Sequence, residues 1–187
     1  MKHHLLAACL LGPAMLLSHG ALADPHEDDA VAQLIANRSQ QGPKQALEIA
    51  TVNYTGVITD FELDDKNDRI VYKITLVHLD KNTKTILFYD AETFDLVDEQ
   101  SDTLIGWFKD EDDQAEIQAL EEIQNNGFSM IQALEIVQEK HPGFLVEAAL
   151  ESKKGIHFFE IKLASPEDKQ RWLVDVSSRD LIPVYRR

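Results

Sequence analysis

The chain holds 187 residues, 33 acidic against 18 basic, with a formal net charge of -15. A hydrophobic fraction of 44% is too high for a disordered acidic tail, so a packed core is expected in one domain or two small ones. The acidic excess argues against nucleic acid and anionic membrane surfaces as partners, and no apolar run reaches the ~20 residues that span a bilayer.

Residues 1–23 read as a secretory signal peptide. Lys2 opens it, residues 5–17 are almost wholly apolar, and Ala21-Leu22-Ala23 places small residues where a signal peptidase reads. Cleavage is expected after Ala23, which puts the protein in the periplasm or outside the cell. Leu6-Ala7-Ala8-Cys9 is similar to a lipoprotein box, but only four apolar residues precede Cys9, against about 7–15 for an h-region. The peptidase reading is therefore preferred to lipidation. It leaves an exported chain with no cysteine and no disulfide. Residues 24–42 read as an acidic tail and a short helix marked by Val31, Leu34 and Ile35.

From there the chain repeats itself. Gln45-Ala46-Leu47-Glu48-Ile49 recurs as Gln132-Ala133-Leu134-Glu135-Ile136, an offset of 87. The same offset pairs Gly56 with Gly143, Tyr72 with Phe159, Ile74 with Ile161 and Leu76 with Leu163. After a two-residue slip, an offset of 85 pairs Phe88 with Leu173, Asp90 with Asp175 and Val97 with Ile182. Each copy reads as a helix and then three strands. Pro43 suits a first helical turn, and Ala46, Leu47, Ile49 and Ala50 give that helix an apolar face. Tyr72, Ile74 and Leu76 alternate with Lys73, Thr75 and Val77, the period-two pattern of a sheet covered on one side. Residues 64–68 and 80–82 are polar turns, and residues 85–89 and 171–174 are the third strands. Ile117, Leu120 and Ile123 mark a helix before the second copy, in which Phe128, Ile131, Leu134 and Val137 follow helical spacing up to the stop at His141-Pro142-Gly143.

The predicted fold is α+β: two tandem repeats, each with helices on one face of a three-stranded antiparallel sheet. The first repeat spans 43–100, a linker holding Trp107 and Phe108 spans 101–112, and the second repeat with its preceding helix spans 113–187. Copies this small bury only about 60% of their unfolded surface, so they are expected to pack on each other as one unit.

The Gln-Ala-Leu-Glu-Ile helix, the glycine opening the first strand, Tyr72-Lys73-Ile74 and Tyr89-Asp90-Ala91 together resemble the PepSY domain. Phe159-Glu160-Ile161 and Val174-Asp175-Val176 carry the resemblance in the second copy, and it covers about residues 43–99 and 128–185. One departure stands in the turn after the closing strand. The family often has Thr-Gly there, whereas this chain has Thr93-Phe94 and Ser178-Arg179. The resemblance implies a non-enzymatic envelope protein. PepSY domains occur in propeptides of thermolysin-like metalloproteases, as inhibitory and folding-assisting segments, and as stand-alone envelope proteins. The implied partner is a protein, an envelope peptidase among the candidates, acted on in trans.

Candidate chemistry in the residues themselves is sparse. His26, His78, His141 and His157 fall in a tail, a strand end, a helix end and a strand start, with no metal-ligand spacing. Asp24-Pro25-His26 places histidine third, as in amino-terminal copper and nickel sites, but Pro25 has no N–H to lose as a ligand. Asp64, Asp65 and Asp68, and the run 110–113, are the candidates for calcium. Lys66 stands where an EF-hand needs a ligand, and no glycine follows Asp68. A divalent-cation binder or sensor accessory is therefore the alternative function. Ser101, Ser129, Ser152, Ser165, Ser177 and Ser178 lack a nucleophile-elbow context. Residues 85–89, apolar on both faces and guarded by Lys84, read as a sheet edge for the other copy or for an extended peptide. No catalytic, binding or metal-ligating residue and no cofactor is assigned.

Overall fold

The computed structural model describes residues 42–104, 111–165 and 169–184, together with residue 34. In chain order, α1 (Gly42–Asn53) leads into β1 (Val57–Lys66), β2 (Arg69–His78), β3 (Thr83–Asp90) and β4 (Leu96–Thr103). Then α2 (Glu111–Asn126) and α3 (Met130–Lys140) lead into β5 (Phe144–Lys153), β6 (Ile156–Ala164), β7 (Lys169–Asp175) and β8 (Leu181–Pro183). Local chemistry sets these boundaries. Pro43 occupies the first turn of α1, where its missing N–H is no loss. Ser129 caps α3 in a reciprocal capping box: its side chain accepts from the Gln132 N–H, and its own N–H donates to the Gln132 side chain at 2.9 Å.

The expectation of two three-stranded repeats is corrected. The described strands form one eight-stranded antiparallel sheet in the order β4-β3-β2-β1-β5-β6-β7-β8, with four strands from each half. The two fourth strands had no strand period in the residue pattern, although the repeat offset paired Val97 with Ile182. β4 is Leu-Val-Asp-Glu-Gln-Ser-Asp-Thr, polar on both faces because it is an edge, and β8 has three residues and ends in proline. Residues 85–89 are likewise not an edge, since β3 is paired on both sides, with β2 and with β4.

The halves join through a seam of three residue pairs, Asp60 with Ala149, Phe61 with Ala148 and Glu62 with Glu147. The central pair, Phe61 and Ala148, is separated by the repeat offset itself, so the halves are related by a local two-fold through that point. The equivalence extends outward in register. Leu63 faces Tyr72, which faces Tyr89; Leu150 faces Phe159, which faces Val174.

One face of the sheet carries a continuous core. Ala46, Leu47 and Ala50 of α1 and their counterparts Ala133, Leu134 and Val137 of α3 are fully buried, packed with Phe61, Tyr72, Ile74, Phe159 and Ile161. Ring contacts knit this core, with Phe61 5.6 Å from Tyr72 and Phe128 6.0 Å from Phe159. α2 crosses the end of the sheet, where Leu120 packs with Val77 and Leu104 in a smaller cluster.

Gly56 and Gly143 open equivalent strands at equivalent close approaches. A side chain at Gly56 would put its Cβ 2.8 Å from the Val77 carbonyl oxygen, at a φ of +131°. At Gly143 it would lie 2.9 Å from Leu163 Cβ and 3.1 Å from the Ala164 oxygen. Gly56→Ala is expected to destabilise by about 1–3 kcal/mol through backbone strain and overpacking, and Gly143→Ala by less, because Gly143 is not at positive φ and only the overpacking applies. Denaturant melts check both, and equal stability to wild type would contradict the close approach. Because α1 packs on β5 as well as β2, neither half alone is expected to unfold cooperatively, and a sigmoidal melt of either would refute a shared core.

Candidate interaction surface

The alternation that buries Tyr72, Ile74 and Leu76 turns Lys73 and Thr75 to the opposite face. There one row of residues runs across seven strands: Asp98, Phe88, Lys73, Glu62, Glu147, Lys162 and Arg171. Its centre is a pair of like charges, Glu62 and Glu147, placed side by side by the seam. Each is held by a lysine on its outer side, Lys73 Nζ 2.6 Å from Glu62 Oε2 and Lys162 Nζ 2.7 Å from Glu147 Oε1. Hydrogen bonding to Glu62 raises the Lys73 pKa above its ordinary value against a smaller opposing effect of burial. Lys162 also reaches Glu160 at 3.6 Å, and Glu160 takes Arg171 as well. Lys66 lies 2.6 Å from Asp98 and 3.6 Å above the Phe88 ring centroid. Half-exposed pairs of this kind contribute roughly 0–1 kcal/mol each, so the row orients charges more than it stabilises the fold.

Asp60 stands one row away beside a β-bulge. Burial raises its pKa above the ordinary 3.8, reinforced by repulsion from Glu62 and Glu116 and opposed by Lys84 and a hydrogen bond with Thr59. At β4, Asp98 is held below the ordinary value by its bonds to Lys66 and Gln100. Tyr54 donates to Glu99 Oε2 at 2.6 Å, and that bond pushes the tyrosine up to about 12.

The singled-out histidines do not converge. His78 Nδ1 accepts from the Lys81 N–H at 3.3 Å, His141 stacks on Trp172 with centroids 3.7 Å apart, and His157 Nδ1 lies 2.8 Å from Glu122 Oε2. Glu122, His157 and Ser152 meet at the β5–β6 end in the order of a carboxylate–imidazole–hydroxyl relay, a grouping the chain spacing did not suggest. They are not wired as one. Ser152 Oγ donates to the Ala115 carbonyl at 3.2 Å, and buried His157 Nε2 has no hydrogen-bond partner. Both contacts instead tie α2 to that hairpin. Asp64 and Asp65 of the calcium candidate are local, with the Asp65 N–H bonded to Asp64 Oδ1, and Asp68 sits in the tight turn at a φ of +61°. Among the described residues no three His, Cys, Asp or Glu side chains are placed to hold a metal ion. His26, Cys9, the cleavage position after Ala23, Trp107, Phe108 and the side chains of 110–113 lie outside the described residues. Ser129 is the α3 cap, and the Ser178 hydroxyl accepts from the Asp180 N–H. No described helix is long and apolar enough to cross a membrane.

Folding favours the protonated form of Asp60 relative to the unfolded chain. Its contribution to stability is complete below pH 3.8 and is lost as pH rises through its higher folded-state value. Asp60→Asn should therefore gain stability relative to wild type between about pH 3 and pH 7. Urea melts at the two pH values check this, and a gap that narrows or stays constant would contradict it.

Residues 40–93 match the PepSY family, described as the peptidase propeptide and YPEB domain. The matched span runs from α1 to the turn after β3 and stops short of β4. None of the curated proteins matches the chain. Among solved structures, a candidate lipoprotein from Clostridium difficile 630 aligns at 16% identity and a TM-score of 0.38, over 74% of this chain and 87% of that one. A likeness that distant carries no argument. The family match, on a helix and strands whose geometry is now described, identifies the segment from residue 40 to residue 93 as a PepSY domain.

Proposed function

We propose that this protein is a non-enzymatic, extracytoplasmic protein-binding module built from two PepSY units, and that it regulates or inhibits an envelope peptidase. The observation that carries the binding part is the sheet face turned away from α1 and α3. On it Phe158, Leu173 and the half-exposed Ile182 stand among oriented ion pairs. Aromatic and aliphatic surface interleaved with charge is the composition of a protein interface. The second unit, residues 128–185, is supported by register and by hydrogen bonds. Asp90 Oδ1 accepts the N–H groups of Glu92 and Thr93, and Asp175 Oδ1 accepts those of Ser177 and Ser178. Export rests on the signal-peptide pattern of residues 1–23. The peptidase rests on the family's occurrence in protease propeptides, and the net charge of -15 favours a basic patch on that partner.

A crosslinked pull-down from periplasmic extract with the chain from Asp24, run with and without calcium, tests this. The expected outcome is one enriched envelope protein that survives chelator, followed by an inhibition assay if it is a peptidase. Enrichment only with calcium, together with a calcium-dependent rise in Tm, would replace this reading with the cation-binding one. No enriched partner in either arm would overturn it.

A further inference from the structure

The two edges of the sheet are protected by different means. β8 has three residues and ends in Pro183, so it offers few outward N–H groups to another strand. β4 runs for eight residues without proline or lysine, and residues 99–103 are all exposed. Its inner side is paired with β3 in unbroken register from Thr83–Thr103 to Phe88–Asp98. Among the described residues no strand pairs with its outer side. What guards this edge is negative charge. Asp98 and Asp102 project to one face, four residues and roughly 13 Å apart along the strand, and Glu99 projects to the other.

That charge selects among occupants. A second copy pairing antiparallel with β4 would set carboxylates against carboxylates, in a chain already at -15. A strand bearing Lys or Arg opposite Asp98 and Asp102 would instead gain cross-strand ion pairs on top of main-chain hydrogen bonds. The present contacts prepare the edge for this. Lys66 at 2.6 Å and Gln100 at 3.1 Å fix Asp98, and Tyr54 fixes Glu99, while a carboxylate with about four acceptor positions keeps room for a further donor.

We propose that β4 is the docking edge for an extended basic segment of a partner protein, which adds as a strand beyond β4 with basic side chains facing Asp98 and Asp102. The inference rests on the protein-binding reading and names its surface and the partner's chemistry. The alternate spacing is the specificity element: basic residues at i and i+4 meet both aspartates, whereas basic residues at i and i+3 place one on the wrong face.

The probe is a capped ten-residue peptide of alternating Thr and Val with Lys at i and i+4, compared with an i, i+3 version and with a Glu-for-Lys version. Hydrogen exchange of the purified protein, read by mass spectrometry at saturating peptide, should slow at least five-fold in residues 96–103 with the first peptide only. Asp102→Lys should weaken binding at least ten-fold and Asp102→Asn by less, with melting temperatures taken in parallel because Lys84 faces position 102. Raising the salt should weaken binding of the first peptide. Unchanged exchange in 96–103, protection of another segment, or equal protection by all three peptides would overturn the proposal. Protection of 96–103 that grows with protein concentration in the absence of peptide would assign the edge to a second copy. A captured partner whose crosslinks avoid β4 would leave the protein-binding reading standing and remove this assignment.

Discussion

The pairing of Asp60, Phe61 and Glu62 with Ala149, Ala148 and Glu147 determines the shape of everything else. It turns two four-stranded sheets into one and brings α1 against α3. By itself it is a thin joint, three pairs long, whereas the β1–β2 and β5–β6 hairpins on either side run the length of their strands. It also places two glutamates side by side, a like-charge contact that is unfavourable unless each has another partner. Lys73 and Lys162 supply those partners. The larger share of the cohesion comes from the apolar side, where α1 touches strands of both halves and the main buried cluster draws on both. At roughly 25 cal/mol per Å² of apolar surface removed from water, burial there outweighs a few half-exposed ion pairs.

The local two-fold is followed closely in the backbone and loosely in the side chains. The Ala91 N–H donates to the Ile70 oxygen and the Val176 N–H to the His157 oxygen, and both closing turns hold a non-glycine residue at positive φ, Phe94 at 62° and Arg179 at 64°. The left-handed conformation costs roughly 1–2 kcal/mol per L-residue, offset in part by what the larger side chains touch. Phe94 stacks on Tyr72 at 6.1 Å and Arg179 lies 5.3 Å from the Phe128 ring centroid. Tyr72 and Phe159 differ in the opposite sense. The tyrosine hydroxyl is buried without a hydrogen-bond partner and its pKa is pushed up to about 12 by burial, a cost that its phenylalanine counterpart does not carry.

How much of this was legible in the residues follows from where each element sits. Helices with one buried stripe and central strands with one buried face announce themselves by period, so the QALEI helices and the strands around Tyr72 and Phe159 could be read directly. An edge strand buries little on either face and has no such period, so β4 was split between the end of the first repeat and the linker, and β3 appeared to be the edge. The seam was readable only in hindsight: a repeat offset says which residues are equivalent, not that Phe61 and Ala148 lie opposite each other. The charge row was half visible, since alternation put Lys73 on the solvent side, but its partners come from strand register, which no local window contains. The Glu122–His157 contact joins a helix to a hairpin across 35 residues and left no local signature either.

The strand order also has a kinetic side. Every pairing in the sheet except one joins strands that are neighbours in the chain, so each four-stranded meander can form from local contacts. The exception closes a loop of nearly ninety residues, and loop closure must be completed before its contacts return any stabilisation. Until β5 arrives, the outer flank of β1 has no strand partner. Phe61, at the midpoint of that flank, has the Tyr72 ring within its own half but gains Ala148 only on closure. The interval before that loop closes is when a chaperone has most to cover, and when a misplaced second chain could most easily take β5's position.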